Sequence, residues 1–323
     1  MKAIRIHQTG GPEVLQYEDV EVPKPGPQQA LVKIEAAGVN FIDIYFRMGL
    51  YKAELPFTNG QEAAGTVTQV GSEVRGLGVG DRVAYTGVLG GYAEYAVAPA
   101  ERLVKLPEGI STRTAAAIML QGMTVHYLTH STFALGPGHT CLLHAAAGGV
   151  GLTLVQVAKM RGARVIGMCS TQEKAERVRQ AGADDVILST EKNFADEVKR
   201  LTGGRGVDVV YDSVGKATWE GSLNCLRPRG MMVSFGNASG PVPPVEPLTL
   251  TAKGSLFLTR PSLIHHVAQR EELEKRSSDL FGWVQAGKLK VHIAAELPLA
   301  QAAEAQRRLA DRLTSGKLLL IPG

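Results

Sequence analysis

The sequence of 323 residues has no long hydrophobic run, few aromatic residues and only three cysteines. Because no stretch of about 18 consecutive apolar residues occurs, we expect no membrane span. Cys141, Cys169 and Cys225 lie far apart, each in or beside an apolar run, which is typical of buried thiols in a reducing compartment. Residues 1–7 form a strand pattern rather than a signal peptide, and we therefore expect a cytoplasmic protein.

The sequence also lacks a large excess of charge of one sign. It contains 35 Lys and Arg residues and 31 Asp and Glu residues, which gives a formal net charge of +4. Aromatic residues amount to 6%, and no basic stripe is interleaved with them, so nucleic acid is not an expected partner. A basic groove for one phosphorylated cofactor would account for the small excess. The length and the hydrophobic fraction of 44% predict a globular protein of two domains.

Residues 1–120 consist of short strand-like runs separated by glycine and proline, which predicts a β-rich domain built as a partly open barrel. The predicted strands are Ala3–Gln8, Leu15–Glu21, Ala30–Ala37, Gly65–Val70, Arg82–Tyr85, Tyr92–Val97 and Arg102–Lys105. Residues 261–323 are expected to return to this domain. The remaining segment, 121–260, is then an inserted second domain, with the active cleft between the two domains.

Between residues 121 and 260, strand-like and helical runs alternate, which is typical of an α/β protein with a parallel sheet. The strand-like runs are Cys141–Leu143, Arg164–Cys169, Asp185–Leu188, Val207–Tyr211, Met231–Phe235 and Leu256–Leu258. Helical segments lie near Leu152–Arg161, Gln172–Gln180, Phe194–Leu201 and Ala217–Leu226. Six strands connected in this way predict the doubly wound parallel sheet of the Rossmann fold.

The stretch Thr140–Gly151 predicts a strand, a tight turn and the start of a helix. Ala146, Gly148 and Gly151 occupy the three small positions of the dinucleotide motif G-x-G-x-x-G, with alanine in the first. Small residues let the backbone approach a pyrophosphate, and the free N–H groups of the helix start favour an anion. A glycine run can also be a plain turn, but the alternating pattern around this one favours dinucleotide binding.

The second strand of this pattern ends at Cys169 without the acidic residue that binds the ribose 2′-hydroxyl in NAD-selective proteins. Ser170 and Thr171 offer hydroxyl groups there, and Lys174 offers a cation one turn into the next helix. A hydroxyl group and an ammonium would bind a 2′-phosphate, so the sequence predicts NADPH. In the alternative interpretation the hydroxyl groups only cap the helix and Lys174 is a solvated lysine; capping is compatible with phosphate binding.

Several motifs, in order and with matching spacing, resemble the zinc-independent quinone oxidoreductases, the ζ-crystallin-like branch of the medium-chain dehydrogenase/reductase superfamily. They are Gly11-Pro12-Glu13-Val14-Leu15, Gly38-Val39-Asn40-Phe41-Ile42-Asp43, Gly60-Gln61-Glu62-Ala63-Ala64-Gly65, Gly80-Asp81-Arg82-Val83, Ala145-Ala146-Ala147-Gly148-Gly149-Val150-Gly151, Tyr211-Asp212-Ser213-Val214-Gly215 and Val233-Ser234-Phe235-Gly236-Asn237. The resemblance covers nearly the whole chain. It implies a GroES-like catalytic domain, a Rossmann domain, a homodimer and NADPH-dependent reduction of quinones.

The resemblance also implies which residues contact the coenzyme. On the nicotinamide side they are Asn40, Phe41, Asp43, Tyr45 and Tyr127. The pyrophosphate residues are Ala147, Gly148, Gly149 and Val150, and the 2′-phosphate residues are Ser170, Thr171 and Lys174. Val214, Phe235, Gly236, Asn237 and Thr259 would border the ribose and nicotinamide at the strand ends. Ser189 lies where close relatives have a tyrosine beside the adenosine phosphate, which implies a weaker contact there.

The resemblance also bears on metal binding, because metal-dependent members of the superfamily have a cysteine and a histidine at the positions of Asn40 and Gln61. Amides are poor ligands for Zn²⁺, and the eight histidines form no metal-binding motif. We therefore expect no metal. Without a Lewis acid the substrate must accept hydride readily by itself, which favours a quinone.

For catalysis, the sequence predicts that Asn40 and Tyr45 donate hydrogen bonds to a developing oxyanion, and that Tyr45 and Tyr51 form an aromatic wall for the acceptor. In the alternative interpretation both tyrosines only pack in the protein, and Asp43 is favoured as a structural residue rather than an acid. Two other functions stay open at this point. One is an NADPH-dependent reductase of α,β-unsaturated carbonyls, and the other is a non-catalytic protein that binds NADPH or RNA.

Overall fold

The computed structural model describes residues 1–189 and 193–323, which fall into two units. The first unit comprises Met1–Met123 and His266–Gly323, and the second comprises Thr124–His265. The boundaries predicted from the sequence lie a few residues before these. Within the described residues, we find no helix with the length and apolar character that a membrane span requires.

The N-terminal part of the first unit contains eight strands and two helices among the described residues. The strands are β1 (Lys2–Ile6), β2 (Gln16–Asp19), β3 (Gln29–Val39), β4 (Phe57–Thr58), β5 (Glu62–Val70), β6 (Arg82–Thr86), β7 (Tyr95–Pro99) and β8 (Val104–Lys105). The helices are α1 (Phe41–Arg47) and α2 (Thr112–Tyr127), and the prediction of strands alone before residue 120 missed both. Phe41, Ile44 and Tyr45 follow helical spacing, but Ile42 and Phe46 are apolar as well, so the pattern of this short segment does not distinguish a helix from a strand.

The second unit contains one parallel sheet in the order β11-β10-β9-β12-β13-β14. Its strands are β9 (Thr140–Leu143), β10 (Arg164–Cys169), β11 (Asp185–Leu188), β12 (Val207–Asp212), β13 (Leu226–Ser234) and β14 (Phe257–Thr259). The connecting helices are α3 (Gly149–Met160), α4 (Gln172–Gln180), α5 (Phe194–Leu201), α6 (Trp219–Cys225), α7 (Pro247–Ala252) and α8 (Leu263–His266). This order is that of the Rossmann fold, which confirms the predicted α/β fold class.

The direction of chain progression reverses between β9 and β12 in this sheet. From β9 the chain continues outward through β10 and β11, and then returns to the other side of β9 as β12. In open α/β sheets, ligands bind at the carboxyl ends of the strands next to such a reversal. The turn that follows β9 is therefore where the topology predicts a nucleotide.

The C-terminal part of the chain completes the first unit with α9 (Arg270–Gln285), β15 (Ile293–Pro298), α10 (Ala302–Ala310) and β16 (Lys317–Ile321). Strand β16 pairs antiparallel with β3, with Leu318 opposite Val39, and parallel with β15. The larger sheet of this unit therefore has the order β15-β16-β3-β5-β6-β8, with β7 also paired to β3. This pairing brings the start of β16 beside the end of β3, where α1 begins.

Candidate functional site

The turn between β9 and α3 has the local geometry of an anion-binding helix start. Ala145 adopts a left-handed backbone conformation with φ of 50°, and Gly148 is the N-cap of α3 with φ of −73° and ψ of 173°. Gly148 has no side chain with which to cap the first N–H groups of this helix. Of the predicted pyrophosphate residues, Ala147 and Gly148 lie in this turn, and Gly149 and Val150 are the first two residues of α3.

Gly148, at the end of the turn, and Gly151, in the first turn of α3, differ in how closely the backbone approaches them. A Cβ atom on Gly151 would lie 2.5 Å from the carbonyl oxygen of Ala145, so helix and turn can pack this closely only with glycine. A Cβ atom on Gly148 would meet the same oxygen at 3.3 Å, and its backbone conformation suits any residue. Packing within the protein therefore requires glycine at 151, whereas alanine at 148 would need a shift of only a few tenths of an ångström.

A buried hydrogen-bond network centred on Asp212 lies next to this turn. Asp212, at the end of β12, accepts hydrogen bonds from the N–H groups of Val214 (2.7 Å) and Gly215 (2.9 Å) on one carboxylate oxygen. Its other oxygen accepts from the hydroxyl group of Ser222, which is 2.8 Å from Nε2 of His144. Burial lowers the pKa of His144, which favours the neutral ring. The network thus links the residue preceding the turn to the loop that contains Val214.

The remaining residues predicted to border ribose and nicotinamide lie at the carboxyl ends of β12, β13 and β14. They are Val214, Phe235, Gly236, Asn237 and Thr259. The Phe235 N–H group donates to the Asp212 carbonyl at 2.8 Å, and a Cβ atom on Gly236 would lie 2.4 Å from the Ser213 carbonyl oxygen. This close packing of two loops places all five residues on the ligand-binding edge that the strand order predicts.

The residues predicted to bind a 2′-phosphate meet at the carboxyl end of β10. Thr171 is the N-cap of α4, and its hydroxyl group accepts the N–H group of Lys174 at 3.3 Å. The Lys174 ammonium lies 3.5 Å from the hydroxyl oxygen of Ser170. Thr171 therefore caps α4 while Lys174 places its ammonium beside the Ser170 hydroxyl group, so helix capping and a cation for a phosphate are compatible here.

Glu173 and Ser189 also lie near the carboxyl end of β10. Glu173, the acidic residue closest in sequence, pairs with Arg177 one turn along α4 at 3.0 Å, so its carboxylate points along the helix. Ser189 follows β11, and its N–H group donates to the Cys169 carbonyl at 2.7 Å. Within residues 1–189 and 193–323, this strand end therefore presents hydroxyl groups and the Lys174 ammonium, and the Glu173 carboxylate is paired with Arg177.

In the first unit, Asn40 is the N-cap of α1, and Asp43 is the third residue of that helix. The Asp43 carboxylate accepts the N–H groups of Asn40 (2.8 Å) and Gln61 (3.0 Å) and the hydroxyl group of Tyr92 (2.8 Å). Burial raises the pKa of Asp43 to about 7, although the hydrogen bonds from Tyr92 and Asn40 act in the opposite direction. Because Asp43 has no exposed surface, we assign it a structural role rather than the coenzyme contact that the resemblance implied.

The side chain of Asn40 is bound on every side by the protein. Its amide nitrogen donates to the Gly38 carbonyl at 3.2 Å and to Oε2 of Glu62 at 2.9 Å. Its oxygen accepts the Lys317 ammonium at 2.7 Å. Since protein acceptors use both amide hydrogens, the prediction that Asn40 donates to an oxyanion does not agree with this geometry. The sequence interpretation missed Glu62 and Lys317, although a lysine next to the apolar run Leu318–Ile321 was a signal.

The aromatic residues of α1 and the following loop form one cluster. The ring centroids of Tyr45 and Tyr51 are 5.4 Å apart in an edge-to-face arrangement, and those of Phe41 and Tyr45 are 6.2 Å apart. Leu50, beside Tyr51, is exposed. The structure therefore brings together the three aromatic residues predicted to face the nicotinamide and the acceptor. Tyr127, the fourth, ends α2 and is buried in the second unit.

Comparison with known proteins gives consistent matches over the whole chain. A family model described as zinc-binding dehydrogenase matches residues 149–279, and one described as alcohol dehydrogenase GroES-like domain matches residues 26–108. A quinone oxidoreductase of Pseudomonas aeruginosa is 49% identical, with 99% of each chain covered. A 2-haloacrylate reductase of a Burkholderia species is 44% identical, with 98% of each chain covered.

Among solved structures, the quinone oxidoreductase of Escherichia coli complexed with NADPH matches with a TM-score of 0.98. It is 45% identical to this chain, and the match covers 100% of both chains. At this similarity the two proteins share their fold throughout.

Zinc, which one of the matching descriptions names, does not fit the side chains of this chain. In residues 1–189 and 193–323, no group of three or more histidine, cysteine, aspartate or glutamate side chains is placed to hold a metal ion. Asn40 and Gln61 are buried amides, and the Asn40 amide is already bound to Glu62 and Lys317. Neutral amides are weak ligands for Zn²⁺, so this donor set does not form a catalytic zinc site.

Proposed function

The chain belongs to the zinc-independent quinone oxidoreductases of the medium-chain dehydrogenase/reductase superfamily, and on this premise we propose that it reduces quinones with NADPH at a site without a metal ion. The observation that best supports NADPH as the coenzyme is the set of side chains at the carboxyl end of β10. There Ser170 and Lys174 stand where an NAD-selective protein has an acidic residue. An ammonium and a hydroxyl group attract the 2′-phosphate that distinguishes NADPH from NADH.

When bound, NADPH supplies a hydride equivalent to the acceptor. The residues of the chain bind and orient the two molecules, and this accounts for most of their contribution to the rate. Backbone N–H groups at the start of α3 hold the pyrophosphate, and Lys174 holds the 2′-phosphate. The cluster of Phe41, Tyr45 and Tyr51, whose rings are tilted or edge-to-face to one another, provides aromatic contacts for the acceptor. The location of the acceptor between the two domains stays a prediction from the sequence.

The chemistry of the donor set favours quinones as acceptors. A simple ketone is hard to polarise without a Lewis acid, and these side chains do not supply one. Reduction of a quinone produces an aromatic ring, so the acceptor needs little activation. A second candidate substrate class is the α,β-unsaturated acids, because a 2-haloacrylate reductase is 44% identical over nearly the whole chain.

A panel assay of NADPH oxidation distinguishes these two substrate classes. We expect kcat/KM for benzoquinones and naphthoquinones to exceed that for 2-haloacrylates and simple enones. Turnover of the unsaturated acids alone would assign the second function, and would reject the first.

Removing the hydroxyl groups of the two tyrosines tests their assignment to the acceptor. Tyr45→Phe and Tyr51→Phe should each lower kcat for a quinone about 5-fold, which is the effect of losing one hydrogen bond of about 1 kcal/mol. The Kd for NADPH should change little, because the phosphate-binding residues are untouched. Tyr17→Phe, which alters a largely exposed tyrosine on β2, is the matched control. Wild-type kinetics in both variants would remove these tyrosines from the site.

We also propose that the protein is a homodimer that pairs through β14. This strand is at the edge of the parallel sheet, and it exposes 58% of Phe257 and 36% of Leu258. An exposed apolar edge strand is a ready partner for a second strand. Light scattering should give about twice the chain mass of 34.4 kDa, and the mass of one chain at micromolar concentration would contradict the proposal.

A further inference from the structure

A buried ion pair lies beneath the N-terminus of α1. The Lys317 ammonium is paired with Oε2 of Glu62, and the side chains are 1% and 0% exposed. A buried pair of charges loses its hydration, so it commonly adds little to stability over an apolar pair of similar size. The contacts that this pair makes with its neighbours indicate a different role.

The two charged groups fix the orientation of the Asn40 side chain. An ammonium can only donate hydrogen bonds, and it lies 2.7 Å from the Asn40 amide oxygen. A carboxylate can only accept them, and it lies 2.9 Å from the amide nitrogen. The two ends of the amide therefore cannot be exchanged. The other Glu62 oxygen accepts the N–H group of Leu120 in α2 at 2.6 Å, which holds the carboxylate in place.

The backbone of β3 approaches this group very closely. A Cβ atom on Gly38 would lie 2.2 Å from Oε2 of Glu62 and 2.7 Å from the Lys317 side chain, so glycine is required there. Asn40, two residues later, is the N-cap of α1, and its own N–H group is held by Asp43. Tyr45 lies on the same helix. The ion pair thus acts on the point from which the helix with the proposed acceptor residues begins.

We propose that Lys317, paired with Glu62, is a positioning residue for the quinone: by fixing Asn40 it sets the start of α1 and hence the Tyr45–Tyr51 surface. The proposal rests on the proposed function. The ammonium itself does not contact the acceptor, because it is enclosed by protein. Its effect passes through the Asn40 amide and the first turn of α1.

The test uses the double variant Glu62→Gln/Lys317→Met, since Lys317→Met alone would leave a buried carboxylate without its partner. The double variant keeps both side-chain lengths and removes both charges, so the Asn40 amide is free to turn. We expect KM for the quinone to rise at least 10-fold with an unchanged Kd for NADPH. We also expect faster amide hydrogen exchange over residues 40–48. Arg276→Met, which removes a buried cation on α9, is the control and should alter neither quantity.

Three results would overturn the proposal. These are a wild-type KM in the double variant, a loss of NADPH affinity as large as the loss for the quinone, or a double variant that does not fold. Either of the last two results would mean that the ion pair stabilises the fold as a whole and does not specifically position the quinone. The exchange measurement needs no substrate. If the wild-type protein reduced no quinone, the proposed function would fail, while exchange over residues 40–48 would still report whether the pair sets α1.

Discussion

Gly148→Ala should weaken NADPH binding about 100-fold, or about 2.7 kcal/mol, while the free energy of unfolding of the protein without ligand changes by less than about 1 kcal/mol. We expect the protein to accommodate the methyl group with a shift of a few tenths of an ångström, because the nearest atom would be the Ala145 carbonyl oxygen at 3.3 Å and the backbone conformation suits alanine. A pyrophosphate drawn up to the first N–H groups of α3 would have to occupy the same space.

Two glycine variants provide the controls for this measurement. Gly136→Ala should change neither quantity, because a Cβ atom there would meet nothing within 4 Å. Gly151→Ala should reduce stability, since its Cβ atom would lie 2.5 Å from backbone atoms of Ala145 and Ala146. Titration of NADPH fluorescence and urea denaturation measure the two effects separately. Unchanged NADPH affinity in Gly148→Ala would show that the pyrophosphate does not lie on this turn.

Lys174→Ala should raise the Kd for NADPH about 10- to 100-fold and leave the Kd for NADH unchanged. A hydrogen bond to a charged group contributes about 1.5–3 kcal/mol, and only NADPH carries the 2′-phosphate that the ammonium would contact. The substitution leaves α4 intact, because the Thr171 cap binds the backbone N–H group of residue 174 and not its side chain.

Lys199→Ala, on α5, removes the same charge from an exposed position of the same unit and serves as the matched control. The difference between Lys174→Ala and this control should shrink at high salt, because ions screen an exposed charge pair. Equal losses for NADPH and NADH would mean that Lys174 does not touch the 2′-phosphate.

The second unit could be predicted in detail because each of its strands and helices depends mainly on residues that are close together in the sequence. The bounds of β10, α4, β11 and α5 agree with those predicted from the apolar runs and helical segments. Each βα unit carries its own pattern, and parallel connections allow few arrangements of such units. The small residues of the turn and the hydroxyl groups at the end of β10 belong to the same local units.

The first unit was harder to predict because its key contacts join distant parts of the chain. Glu62 and Lys317 are 255 residues apart, and no spacing rule connects them. Helix α1 has only seven residues, five of them apolar, so its pattern is ambiguous; its first turn is stabilised by the Asp43 carboxylate, which accepts the Asn40 N–H group. The role of Asn40 followed from the same contacts. An isolated asparagine amide could donate to the substrate, but the Asn40 amide is already bound to the buried Glu62 carboxylate and Lys317 ammonium.

The most direct test of the central claim is NADPH oxidation by protein freed of metals with a chelator, measured with and without a quinone. The proposed function predicts quinone-dependent oxidation at the rate of untreated protein, with NADPH preferred to NADH in kcat/KM. Loss of turnover on chelation that added zinc restores would contradict it, as would protein that leaves the reduced coenzyme unconsumed with every quinone.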